Sequence, residues 1–429
     1  MHAPYAAATL QELLAAASNL CEIVLIFTRA TVEAFPSFFE LSGLIAETHL
    51  VENARDPRCY VSLDLDGITT VHDALLEPVD AVVAELDYAG AMSVAGPWDK
   101  LNQRTLLAAA GVTSVSTLAI GSPEEFLDAA AQQGLPGVLK PRRSTGGVGL
   151  AFINTQADVA MQLKTRESWQ GLVYEELIPM GNHPSGRRWL ADYVSVETVS
   201  TFDRHMHVAI FDKGPLAVAP AGYAPLMHSV LETADFTPTQ LPDAVQKRLL
   251  RMTDAALNAL GVNWRVTHTE FRVSDGQIEL IEVNGRLGGE VVRILSLLDG
   301  PDMARAVLAV ALGLDPDLDQ ALEPGYAGSL KVPLRHRYSP VRSTVTRADI
   351  RKLPGIVGAD LVAVAGDKPD VTGFRAVDVS FRASDTAALE QQFSTTLDGI
   401  ADLFAADGLV DDPWLSEMRR SANSIHMNF

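Results

Sequence analysis

Two strand-like runs, residues 268–273 and 278–283, flank the dipeptide Asp275-Gly276. An Asp-Gly pair between such runs leaves the backbone little choice but a tight antiparallel hairpin. Side chains two residues apart share one face of a strand, so Glu270, Glu282 and Asn284 can be gathered on the same side. Two carboxylates and an amide oxygen are hard oxygen donors suited to Mg²⁺, which keeps water and substrate phosphates in its other positions. Arg286, two residues on, can clamp a phosphoryl group or an acyl phosphate bidentately. The competing reading makes both glutamates exposed and paired with Arg272 and Arg286. The apolar Ile278, Leu280 and Ile281 before Glu282, and the Asn-Gly-Arg after it, fit a functional edge better.

At 429 residues the chain outgrows a single core, since domains hold about 100 to 200 residues. Residues 23–27 are a short continuous apolar run of the kind a buried parallel strand shows. Residues 48–51 and 81–84 read as further strands, and the Ala/Leu-rich stretches between them as helices, giving βαβ units over residues 1–115. Residues 1–20 read as an amphipathic helix or a loose arm, because no Lys or Arg precedes the apolar stretch as a signal peptide requires. Asp99 is placed to cap a helix over 100–110 that Gly111 closes. Lys100 then sits in its first turn, unfavourable for a cation unless an anion lies beside it.

A helix over 123–131, a strand at 138–141 entering a glycine-rich turn, its return at 149–153 and a strand at 172–178 make a second unit, 116–200. A strand at 194–200 ends that unit and pairs with one at 206–211, which with a long helix over 244–260 and the carboxylate hairpin belongs to a third, 201–320. Residues 321–429, with strands near 328–333 and 360–364, form a terminal α/β module, either separate or packed on the third unit.

Lys140 precedes the loop Ser144-Thr145-Gly146-Gly147-Val148-Gly149, whose backbone N–H groups can wrap phosphates because glycine puts no Cβ in the way. It lacks the Gly-Lys-Ser/Thr of a Walker loop and the following helix of a dinucleotide fingerprint, and taken alone it is equally an ordinary tight turn. The formal charge of −20, with no basic cluster, repels nucleic acid and anionic membranes at long range. Two cysteines without metal-ligand spacing point to a reducing cytoplasm.

In their order, Lys100, Lys140 with its glycine loop, Glu175-Glu176-Leu177-Ile178, and Glu270 followed by Glu282-Val283-Asn284-Gly285-Arg286 resemble the ATP-grasp superfamily over residues 95–315. Residues 194–200, Asp212-Lys213, and His268-Thr269-Glu270 leading to 282–289 resemble its carboxylate–amine ligases, including the L-amino-acid ligases that make dipeptides. The resemblance implies an α/β and α+β ATP-grasp fold: a Rossmann-like N-terminal domain, a central ATP-binding lid, a grasp domain and a small terminal module. It implies ATP with Mg²⁺ or Mn²⁺, small-molecule carboxylate and amine substrates, no nucleic acid or membrane partner, and a homodimer as an expectation. Lys100 and Lys140, with Ser144, Gly146 and Gly147, would meet the phosphates, and residues 175–178 the adenine through their backbone. Glu270, Glu282 and Asn284 would hold the metal, while Arg286 and the amides of Gly288 and Gly289 would stabilise the acyl phosphate and the oxyanion.

His268 is either a base for the amine or a hydrogen-bonded structural histidine, and Glu290 either meets a substrate ammonium or opens a helix. Family members place a ribose-binding carboxylate soon after the hinge, whereas here residues 180–190, with Arg187, Arg188 and Trp189, intervene. Asp192 is the candidate for that role, and the insertion is a candidate cap on the substrate pocket. The expected reaction is ATP-dependent amide or peptide ligation through an acyl phosphate. The alternatives are carboxylase or purine-pathway-type chemistry on the same fold, or nucleotide-binding regulation without turnover.

Overall fold

A computed structural model describes residues 1–2, 6–94, 96–144, 146–218, 230–274, 276–333, 344–361 and 375–406. Positions 145 and 275, and the 362–364 end of an expected strand, lie outside the described residues. The N-terminal unit holds α1 (Leu10–Ala16), β1 (Val24–Thr28), α2 (Arg29–Ala34), α3 (Pro36–Ser42), β2 (Glu47–Val51) and α4 (Leu76–Glu85), with β1 and β2 parallel. Residues 81–84, expected as a strand, lie in α4. Val79, Val82 and Val83 recur at helical spacing and bury against Ile26 and Val51, a stripe that a four-residue reading cannot tell from a strand.

Next come α5 (Lys100–Ala109), β3 (Thr117–Ile120), α6 (Pro123–Gln133), β4 (Gly137–Pro141), β5 (Ala151–Ile153), α7 (Gln156–Thr165) and β6 (Leu172–Glu176). The four strands form an antiparallel sheet, order β3-β6-β4-β5, over a core that includes Phe126, Trp169 and Tyr174. This is the lid.

The remaining strands are β7 (Tyr193–Ser200), β8 (His205–Lys213), the short pair β9 (Leu216–Val218) and β10 (Val230–Glu232), β11 (Ala234–Thr237), β12 (Arg265–Ser274), β13 (Gln277–Asn284), β14 (Tyr326–Pro333), β15 (Ile356–Leu361) and β16 (Arg375–Ala383). Eight of them make one sheet, order β13-β12-β7-β8-β11-β14-β16-β15. The boundary expected at residue 200 therefore falls between two paired strands of this sheet, and the C-terminal segment extends it instead of standing apart. On one face α8 (Asp243–Ala259) buries Leu249 and Leu257 with Val194, Phe271 and Leu280. On the other, α9 (Val291–Ser296) and α10 (Met303–Ala311) bury Ile294 and Val307 with Val199 and Val266. No helix among the described residues is long and apolar enough to cross a membrane.

The insertion after the hinge is a strap, not a pocket cap. Trp189 is 1% exposed and packs with Phe236 and with Phe393 of the last helix, Thr386–Ala406. Arg187 donates to Thr386 Oγ1 at 2.8 Å, and His183 Nε2 lies 3.3 Å from Asp212 Oδ1. Trp189→Ala should cost about 3–5 kcal/mol of stability in denaturant unfolding, the usual penalty for emptying an aromatic core site. Its nucleotide affinity should stay near wild type, whereas loss of a pocket cap would give the reverse pattern.

Candidate active site

The site begins at the start of α5. Asp99 accepts from the N–H groups of Leu101 and Asn102, and Arg142 Nε donates to both of its oxygens at 3.0 Å. The Lys100 N–H donates to Arg142 O at 3.0 Å, which joins the helix start to the exit of β4. Lys100 Nζ lies 3.1 Å from Glu282 Oε2 and donates to Ser144 O at 3.0 Å. The anion that a first-turn cation calls for is thus Glu282. Burial works against the ammonium, but Glu282 outweighs it and holds the lysine above its ordinary pKa.

Lys140 Nζ is 2.5 Å from Glu175 Oε2, Arg104 Nε is 3.4 Å from Oε1, and Thr117 Oγ1 donates to Oε1 at 3.1 Å. Burial pushes the Glu175 carboxyl up, and Lys140 and Arg104 pull it further down, leaving it below its ordinary value. The Glu175 side chain therefore anchors Lys140. In the rest of the hinge the Glu176 N–H donates to Ser116 O at 3.1 Å and the Leu177 N–H to Pro136 O at 3.4 Å, so of the main-chain groups expected at adenine these two amides are engaged within the chain; Ile178 follows directly after them. Gly146 and Gly147 have φ of +58° and +75°, a left-handed pair that other residues rarely adopt.

Glu270 stands directly opposite Glu282 in the β12–β13 register, and His268 opposite Asn284. Asn284 Nδ2 donates to Glu282 Oε1 at 3.3 Å, which fixes the amide beside the carboxylates. Burial raises the Glu282 carboxyl, but Lys100 and Lys140 bring it down to about 2. Among the described residues no three His, Cys, Asp or Glu cluster as a metal group. Two carboxylates with one amide oxygen suit Mg²⁺, which takes its remaining ligands from water and phosphate, and not a metal that needs an all-protein cage.

His268 Nδ1 is 2.5 Å from Glu197 Oε1 and Nε2 is 3.4 Å from Glu270 Oε1. Burial disfavours the charged ring, but Glu197 outweighs it and raises the pKa to about 9. With a carboxylate on each ring nitrogen, His268 fits the second of its two readings, a hydrogen-bonded structural histidine. The Gly288 N–H donates to Glu197 Oε2 at 3.2 Å, and a Cβ there would come within 2.7 Å of His268. That amide is accordingly not available to an oxyanion, whereas the space beside Gly289 is open. Arg286 Nε donates to Asp73 Oδ2 of the N-terminal unit at 2.7 Å. Glu290 is buried at the start of α9, 3.6 Å from Arg293, which favours the helix-start reading. Asp192 pairs with Arg272 and accepts the Gly181 N–H at 2.6 Å, so its carboxylate ties down the strap and the ribose role is withdrawn.

Sequence reasoning missed Asp73, Trp98, Gln103, Arg104 and Glu197. Trp98 carried a usable signal. Its ring lies where a Cβ at Gly285 would be only 2.5 Å away, so the glycine of Asn-Gly-Arg and the tryptophan of Gly-Pro-Trp-Asp need each other.

No family model matches the chain. It is 26% identical over 294 residues, 63% of its length, to the alanine–anticapsin ligase of Bacillus subtilis (strain 168), and spans 60% of that relative's length. Among solved structures it superposes on an L-amino acid ligase from Bacillus licheniformis with a TM-score of 0.68 at 17% identity, over 90% of this chain and 94% of that one. An N5-carboxyaminoimidazole ribonucleotide synthetase from Thermus thermophilus gives 0.64 at 18% identity, over 93% and 97%. These likenesses establish the fold.

Because the Glu175 carboxyl sits below its ordinary 4.5, the stability it contributes is fully present above about that pH. It is lost as pH falls through the lowered value. Glu175→Gln should be about 3–5 kcal/mol less stable than wild type at neutral pH, the cost of breaking a buried pair. Unfolding followed down to about pH 3 should show that gap narrowing; a constant gap would mean that Glu175 carries no charge-dependent stability.

Proposed function

We propose that this chain, which has the ATP-grasp fold, is an ATP-dependent ligase joining a small-molecule carboxylate, such as an amino acid, to an amine. The observation that carries this reading is the convergence of Lys100 and Lys140 on the opposed Glu270–Glu282 pair. A site built only to hold a nucleotide has no need of two facing carboxylates. The relative named as a ligase of alanine supports amino acids as the substrate class.

In this reading a substrate carboxylate oxygen attacks the γ-phosphorus of ATP, the bond to the β-phosphate oxygen breaks, and ADP leaves with an acyl phosphate behind. Lys100 and Lys140 exchange their carboxylate partners for phosphate oxygens and offset the charge that builds there. Glu270, Glu282 and Asn284 would hold Mg²⁺, which supplies further charge neutralisation on the phosphates. Arg286, braced by Asp73, stabilises the acyl phosphate. The amine nitrogen then attacks the acyl carbon, phosphate departs with the electron pair, and the amine proton passes to solvent. The lid with its glycine turn shields the acyl phosphate from water.

Phosphate release from Mg-ATP should require an acid and an amine together when amino acids are supplied singly and in pairs. Glu282→Ala should lower it at least about 100-fold, the scale of losing a main charge-stabilising group. Release with one substrate alone would point to phosphorylation without ligation, and wild-type chain that binds no ATP would sink the proposal.

A further inference from the structure

The eight-stranded sheet ends at β13, and α5 lies along that free edge. The Gln103 amide donates to Val283 O and accepts the Val283 N–H, each at 2.8 Å, so that it stands in for a neighbouring strand. Arg104, 5% exposed, donates from Nη1 to Leu280 O at 2.8 Å and from Nη2 to Ile281 O at 2.7 Å. The other side of the same guanidinium faces Glu175, with Nε and Nη2 at 3.4 and 3.5 Å from its oxygens, and Glu175 holds Lys140 at 2.5 Å. One planar fork therefore joins the backbone next to Glu282 to the carboxylate that sets Lys140. The first belongs to the sheet, the second to the lid.

We propose that Arg104 is a positioning residue for nucleotide phosphates: through Glu175 it sets Lys140 of the lid at a fixed place relative to Glu282 of the sheet. Two consequences follow from the charges. With Arg104 present, Lys140, Glu175 and Arg104 sum to +1, so Lys140 can turn to a phosphate while Glu175 keeps a cationic partner. With Arg104 gone, Lys140 is the one direct ion-pair partner left to Glu175 among the described contacts, Lys100 acting on it only at longer range, and leaving it strands a buried anion. Lysine at 104 restores the charge but not the fork, since an ammonium cannot meet two carbonyls and a carboxylate in one plane.

The inference rests on the reading that ATP binds between lid and sheet, and the test separates the two. Binding of ATP, ADP and adenosine to the full chain is measured by calorimetry for wild type, Arg104→Lys and Arg104→Met. ATP and ADP affinity should fall at least about tenfold in Arg104→Met and by less in Arg104→Lys, while adenosine affinity, which does not depend on Lys140, stays within about twofold. A purely structural role would weaken all three ligands together, and that result, or unchanged ATP affinity, overturns the inference. If Arg104→Met does not fold, the same contrast between ATP and adenosine in Arg104→Lys decides. Wild-type chain that binds no ATP would overturn the functional reading itself.

Discussion

An edge strand offers a row of N–H and C=O groups with no ladder partner, and a protein must cover or disguise it. Here that edge is β13, and the groups that cover it are the side chains of Gln103 and Arg104. The same ten-residue helix carries Lys100 at its start and is capped by Asp99, which also receives Arg142 from the exit of β4. Sheet edge, lid strand and Lys100 are thus referenced to one rigid element. Moving α5 by one residue would misplace Lys100 and strip the edge in the same step.

Around that seam the cations come with anions attached: Lys100 with Glu282, Lys140 with Glu175, Arg286 with Asp73, His268 with Glu197. At about 3 Å and an effective dielectric near 20, each such pair gains about 5 kcal/mol, while desolvating each ion costs several. The two nearly cancel. These pairs are therefore poor sources of stability and good sources of definition, because each holds a long side chain in one place in a chain of net charge −20. They also mean that any anion entering this seam has to replace existing partners and does not meet a row of bare charges.

What could be read from the sequence follows the range of the physics involved. Glu282 and Asn284 were legible as a same-face pair from strand alternation, and Asp99 and Gly111 because caps act within a turn. The turn's own register, however, would set Glu270 opposite Ile281, and it is a bulge between Glu270 and Phe271, not announced by the sequence, that brings the two glutamates face to face. The segment 81–84 was misread because four apolar residues suit either period, and the choice was made by Ile26 and Val51, some 30 to 60 residues away. Asp73, Arg104 and Glu197 were invisible for the same reason: each is an ordinary charged residue until the fold sets it against Arg286, Glu175 or His268. The strap was misjudged because cationic and aromatic residues together describe a ligand pocket and a domain seam equally well.

That strap also explains why the C-terminal segment belongs to the site's framework. Trp189 fills a core made by β11, β16 and the last helix, while Asp192, three residues on, holds Arg272 two positions after Glu270 on β12. The path from the lid hinge to the carboxylate sheet therefore passes through the C-terminal core before it returns. Since β14 and β16 complete that core as members of the same sheet, tilting them would shift Trp189 and, through Asp192 and Arg272, the strand that bears Glu270. A boundary between a catalytic unit and a terminal module would cut through this chain of contacts and through the sheet that both segments share.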